Sequence, residues 1–111
     1  MLPKDDVELV RRWAHDKTPE EFRDRMRVEV EETPRGLTIF ECSLLPGMDG
    51  EPMWLRAPNA RLAYASGRAE WTLYFIDSND KTRPYPNCEP SAEIQDLLDE
   101  IDEDPTCIFW G

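Results

Sequence analysis

The chain has 111 residues, 40% of them hydrophobic and four of them tryptophan, which suits one folded core and is too short for two. Its 24 acidic against 13 basic residues give a net charge of −11, a field that repels phosphate backbones and anionic lipid and argues against nucleic-acid and membrane partners. Three cysteines without C-x-x-C spacing fit a reducing compartment, and Met1-Leu2-Pro3-Lys4 lacks the apolar run of a signal peptide, so the expected location is the cytoplasm.

Pro3 heads a first helix, with Asp5, Asp6 and Glu8 where the helix dipole favours acids and Val7, Val10, Trp13 and Ala14 as its buried stripe. Thr18-Pro19-Glu20-Glu21 reads as the start of a second helix, with Thr18 and Glu21 as a capping box and Phe22 and Met26 turned inward. From Met26 the period becomes two. Val28-Glu29-Val30-Glu31, the turn at Pro34-Arg35-Gly36 and Leu37-Thr38-Ile39-Phe40-Glu41-Cys42 make a hairpin. Residues 44 to 53, rich in proline and glycine, read as a loop.

A strand is expected around Arg61–Ala65, and Trp71-Thr72-Leu73-Tyr74-Phe75-Ile76, apolar on both faces, reads as a central strand covered on each side. Thr82 to Tyr85 return as a short edge strand, because Pro84 has no N–H for a ladder. Ser91 caps a last helix whose stripe is Ile94, Leu97, Leu98 and Ile101, and Pro105 ends it near Glu103. The wholly apolar runs are at most four residues long, too short to cross a bilayer. Together these elements predict one α+β domain over residues 1–111: two N-terminal helices, an antiparallel sheet of about five strands, and an amphipathic C-terminal helix packed on the sheet.

Charge is divided along the chain. Residues 11 to 27 carry six bases and four acids, whereas residues 89 to 104 carry eight acids and no base. Asp99, Asp102, Glu103 and Asp104 crowd the negative end of the last helix, where each acid costs about 0.3–1 kcal/mol. They are the candidate partner-binding residues, and the Arg11–Arg27 region, a basic patch on another protein or a divalent cation are the candidates for offsetting them.

No catalytic residue is identifiable. His15 is the single histidine and lies on the polar side of its helix, the cysteines lack zinc-ligand spacing, and no phosphate-binding or nucleophile-elbow motif occurs. Neither a cofactor nor a metal is expected. Asp77-Ser78-Asn79-Asp80-Lys81 begins like a calcium loop but has Thr82 where glycine is required. Period two puts Glu41 on the face of Leu37 and Ile39, with Arg61 as a candidate ion-pair partner. Trp54, Trp71 and Tyr85 are candidates to line a pocket beside them, and Glu41, Arg61, Trp71 and Tyr85 form the candidate ligand-binding set.

Trp71-Thr72-Leu73-Tyr74-Phe75, Asp77, Asn79, Tyr85, Leu97-Leu98-Asp99-Glu100-Ile101-Asp102, Asp104-Pro105-Thr106 and the ending Ile108-Phe109-Trp110-Gly111 resemble a family of small bacterial proteins, the domain of unknown function numbered three-zero-two-four. Thr82-Arg83-Pro84-Tyr85 stands where the family typically has aromatic-His-Arg-Tyr, and Cys107 where it has glycine. The resemblance implies one compact domain and carries no activity.

The expected function is that of a small, cytoplasmic, non-enzymatic binding or interaction module, its partner a protein with a basic patch or a second copy of itself. The alternative is a small ligand-binding protein or enzyme with a pocket around Glu41, Arg61 and Tyr85. The apolar ending Ile108-Phe109-Trp110 is expected to dock into the chain's own core, since exposing it is costly.

Overall fold

In the computed structural model, which describes residues 2–110, the period-two alternation beginning at Met26 becomes the first of five strands. Helix α1 (Lys4–Asp16) precedes β1 (Met26–Thr33), β2 (Gly36–Pro46), β3 (Pro52–Ala65), β4 (Glu70–Ile76) and β5 (Thr82–Pro84), and α2 (Ile94–Glu103) follows them. The strands form one antiparallel sheet in the order β1-β2-β3-β4-β5, each paired with its neighbour in sequence. The fold is therefore α+β, built from a meander and two helices.

Among the described residues only one N-terminal segment is α-helical. The expected second helix is a single 3-10 turn, Glu20–Phe22, preceded by Pro19 and without a side-chain cap. Strand β1 starts at Met26, which leaves too few residues to repay helix nucleation, and Phe22 and Met26 stay 40% and 45% exposed instead of anchoring a stripe. The last helix starts at Ile94 rather than at Ser91; the Ser91 hydroxyl instead accepts the Glu93 amide and donates to Asp96 just ahead of it.

Residues paired across the ladder share a face. One face, here the inner one, carries Val28, Val30, Leu37, Ile39, Ala60, Leu62, Trp71 and Leu73. Both helices cover it. Val7, Val10 and Ala14 of α1 and Ile94, Leu97, Leu98 and Ile101 of α2 are buried, at the positions their helical spacing predicts. Trp71 is completely buried, its indole N–H donating to Asp6 of α1 at 2.8 Å and its ring tilted against Tyr64.

Gly36 opens β2 where β3 passes very close. A Cβ there would lie 2.1 Å from the Leu62 carbonyl oxygen and 3.1 Å from the Ala63 Cα, both backbone atoms in a paired strand. Gly36→Ala is expected to destabilise the domain by about 1–3 kcal/mol, since a ladder yields less readily than a side chain. An unchanged thermal midpoint in this variant would show that the hairpin moves freely at that point.

The β2–β3 hairpin is much longer than its sequence suggests. Of residues 44 to 53, expected as a loop, half are strand (44 to 46, 52 and 53), around a turn in which the Gly47 N–H donates to the Glu51 carbonyl. Asn59 is an extra residue opposite β2, because Ile39 pairs with Ala60 while Phe40 pairs with Pro58. Beyond this bulge β4 no longer accompanies β3, and β1 ends its pairing at Ser43. The distal hairpin therefore projects as an arm. It stretches the molecule to 50 × 28 × 25 Å, with a radius of gyration of 14.7 Å against about 13 Å for a compact domain of this length.

The C-terminal segment docks on the chain's own core. Asp104 adopts a left-handed conformation (φ 43°) that ends α2, and its carboxylate accepts the amides of Phe109 and Trp110 at 3.0 and 2.9 Å. Phe109 is 5% exposed, its ring beside Tyr85, and its carbonyl accepts the Asn59 side-chain amide at 2.6 Å. The Trp110 indole donates to the Ile101 carbonyl, while Ile108 stays 39% exposed.

Candidate functional site

The outer face of the sheet is bare of helices, and its side chains organise one another. Arg27 and Glu29 of β1, Phe40 of β2, and Trp54 and Arg56 of β3 lie on it. Glu29 accepts from Arg27 at 2.7 Å and from Arg56 at 3.1 Å, and Arg56 also reaches Glu31 at 3.2 Å. The two guanidiniums lie over rings, Arg27 at 4.1 Å from the Trp54 centroid and Arg56 at 3.6 Å from that of Phe40. Arginine suits this position because its flat cation stacks and donates at once.

Glu29 sits at the centre of the network. Partial burial pushes its carboxyl up, but hydrogen bonds from Arg56 and Arg27, together with their charges, outweigh that and hold it below the usual carboxylate range. A carboxyl depressed in the folded state contributes stability that is complete above its unfolded value, about 4.3, and is lost as pH falls through the lower folded value. Glu29→Gln is expected to cost about 1 kcal/mol at neutral pH, water screening the exposed pairs, and nothing once Glu29 is protonated. Urea titrations of both proteins between pH 7 and pH 2 check it; a difference that persists undiminished at the acid end contradicts this role for Glu29.

On the inner face, the helices stop short of the arm. Met26, Leu45, Met53 and Leu55 share that face and are 45%, 43%, 60% and 53% exposed. At the arm's root a cleft of about 340 Å³ is lined by Lys17, Phe22, Met26, Val28, Glu41, Asp102 and Trp110, among others. The apolar patch and the cleft run into one another through Met26.

The sequence-predicted ligand set does not assemble. Glu41 is on the inner face, paired between Val28 and Ala57, and lines the cleft. Arg61 pairs with Thr38 and Tyr74 on the outer face, where its guanidinium donates to the Thr38 and Thr33 hydroxyls. The expected Glu41–Arg61 pair is thus corrected: the sheet lies between them. Trp71 has no exposed surface to offer a ligand, and Tyr85 is buried with its hydroxyl on Glu100 and its ring on Phe109.

The acidic helix end is largely occupied from within. Asp102 accepts from the Trp13 indole at 3.0 Å and pairs with Lys17, so the Arg11–Arg27 region does supply a cation. Asp104 holds the tail amides, and Asp99 accepts from Gln95 one turn earlier. Glu103 faces solvent. Among the described residues no group of three or more histidine, cysteine or acidic side chains is placed to hold a metal ion.

Sequence reasoning missed the arm. Its signal was present in Met53-Trp54-Leu55, three large apolar residues between prolines in what otherwise reads as a loop.

Fold and surface together define a single-sheet α+β domain with one face covered by helices, the other tiled by arginine and aromatic side chains, and a hairpin arm outside the core. The chain belongs to the family described as Domain of unknown function (DUF3024), whose model matches residues 2–111. No curated protein and no solved structure matches it.

Proposed function

We propose that this chain is a small, cytoplasmic, non-enzymatic interaction module whose contact surface is the β2–β3 arm. One observation carries the reading: Leu45, Met53 and Leu55 of the arm, with Met26 of β1 beside its root, are large apolar side chains left exposed on the inner face of a projecting element. Soluble domains seldom leave such patches uncovered, and those that do use them for partners. Trp54 and Arg56 on the other side of the arm are the residue types that dominate binding energy at protein interfaces. Among the described residues no helix is long and apolar enough to cross a membrane.

The arm displaces the acidic helix end as the leading contact surface, because Asp102 and Asp104 already have partners in the fold. Met48, fully exposed at the tip, is the place for a photocrosslinking side chain. In host cells the reading expects a defined adduct that disappears when Leu55 is changed to glutamate, with no counterpart from the exposed position of Ala92. Equal, diffuse labelling from both positions sinks it.

The cleft at the root of the arm favours a second reading, a small-ligand site. Beside Glu41, the residues Lys17 and Trp110 take the places that the sequence suggests for Arg61, Trp71 and Tyr85. Native mass spectrometry of protein purified from its own host checks it: a retained small molecule lost in Glu41→Gln supports the ligand site, and bare protein counts against it.

A further inference from the structure

The free edge of β3 narrows the choice of partner. Between Pro52 and Pro58 the strand pairs with β2 on one side only, because β4 accompanies β3 from Ala60 onward. The Gly47 N–H donates to the Glu51 carbonyl, and on the far side of β2 the Leu44 N–H donates to the Arg25 carbonyl. Since ladder bonds alternate, residues 53, 55 and 57 direct their backbone groups at β2, and residues 52, 54, 56 and 58 direct theirs outward. Two of these four are prolines, which have no N–H. The outward donors that remain are the amides of Trp54 and Arg56.

These positions are symmetric about Leu55. We infer that a second copy of this chain docks edge to edge on the arm, about a two-fold axis through Leu55, which rests on the reading of the arm as the interaction surface. Antiparallel pairing of Trp54 with Arg56 of the other copy, and the reverse, uses both outward donors of each copy in four N–H···O bonds. It places Pro52 opposite Pro58, so no donor meets a position that cannot reciprocate. On the outer face each Trp54 then lies beside a guanidinium, a favourable neighbour for an indole. On the inner face Leu55 meets Leu55, and the two patches of Met26, Leu45, Met53 and Leu55 become one.

Charge agrees with this occupant. From Pro52 to Pro58 the only charged side chain is Arg56, whereas the whole chain carries −11. Two copies therefore meet at a nearly neutral strip while the rest of their surfaces repel. Salt screens that repulsion and strengthens this association, whereas it weakens binding to a basic partner.

Sedimentation equilibrium of the full chain tests the inference. An interface of two short edges is at the small end of stable contacts, so the series runs from about 5 to 500 µM, at low and high sodium chloride. The expected result is a concentration-dependent rise from 13.0 kDa to twice that mass, favoured by salt. Trp54→Pro removes one outward donor without touching a bond to β2, and is expected to raise the dimer Kd by at least about tenfold. Leu55→Glu, at an exposed side chain that the fold does not need, places two carboxylates across the axis and is expected to do the same. A monomer at every concentration overturns the inference, as does a dimer that neither variant weakens. The two readings fail separately: a Met48 adduct with a different protein, from a chain that stays monomeric, keeps the interaction module and removes the second copy.

Discussion

Phe109→Ala is expected to lower the unfolding free energy by about 4 kcal/mol, read as a fall in urea midpoint at unchanged slope. Phe109 is 5% exposed in a site closed by Tyr85, and truncation leaves a cavity that the surrounding elements cannot fill. Its backbone raises the cost further. The Asn59 amide donates to the Phe109 carbonyl, and the Asp104 carboxylate accepts the amides of Phe109 and Trp110, so a loosened tail leaves those groups without partners. A domain of this size has about 5–15 kcal/mol in total, so the variant loses a large share of it. An unchanged midpoint would mean that the tail is an ornament on an already complete core.

Trp71→Ala is expected to cost a similar amount, about 3–5 kcal/mol, for a different mixture of reasons. The side chain is the largest among those with no exposed surface, and it packs between the sheet and α1. Removing it also takes away the N–H that Asp6 accepts across the interface with α1. Trp71→Phe separates the contributions: it keeps most of the packing, loses the hydrogen bond, and is expected to cost well under half as much. Equal losses in the two variants would assign the effect to Asp6 alone. The comparison uses chemical denaturation followed by far-ultraviolet circular dichroism, because the mutation removes a major fluorophore.

Periodicity made most of the fold legible. The i, i+3, i+4, i+7 stripe of Ile94, Leu97, Leu98 and Ile101 is the buried face of α2, and Val7, Val10 and Ala14 are that of α1. Pro84 announced an edge strand, and β5 is one. Thr18–Met26 misled because a capping pattern describes how a helix starts, and nothing in it tests whether enough residues follow. Within the arm, Pro46 and Pro52 read as breakers, yet each occupies a position whose missing N–H no ladder bond needs. The candidate site was less legible for a related reason. A face can be assigned by counting along one strand, so Glu41 was placed correctly beside Leu37 and Ile39. Which face Arg61 takes depends on the register between strands, which the count along β2 does not contain.

The bulge at Asn59 separates two alphabets in one strand. In β3 the even-numbered residues Ala60 and Leu62 face inward on the core side, and the odd-numbered Met53, Leu55 and Ala57 do so on the arm side. In a regular hairpin, one inserted or deleted residue turns every later side chain over. Here a slip next to Asn59 is absorbed as a larger or smaller bulge, and the core keeps its reading frame. The molecule is thus a chassis with an exchangeable head: the arm is free to lengthen, shorten or change its surface while the packing beneath the helices stays as it is.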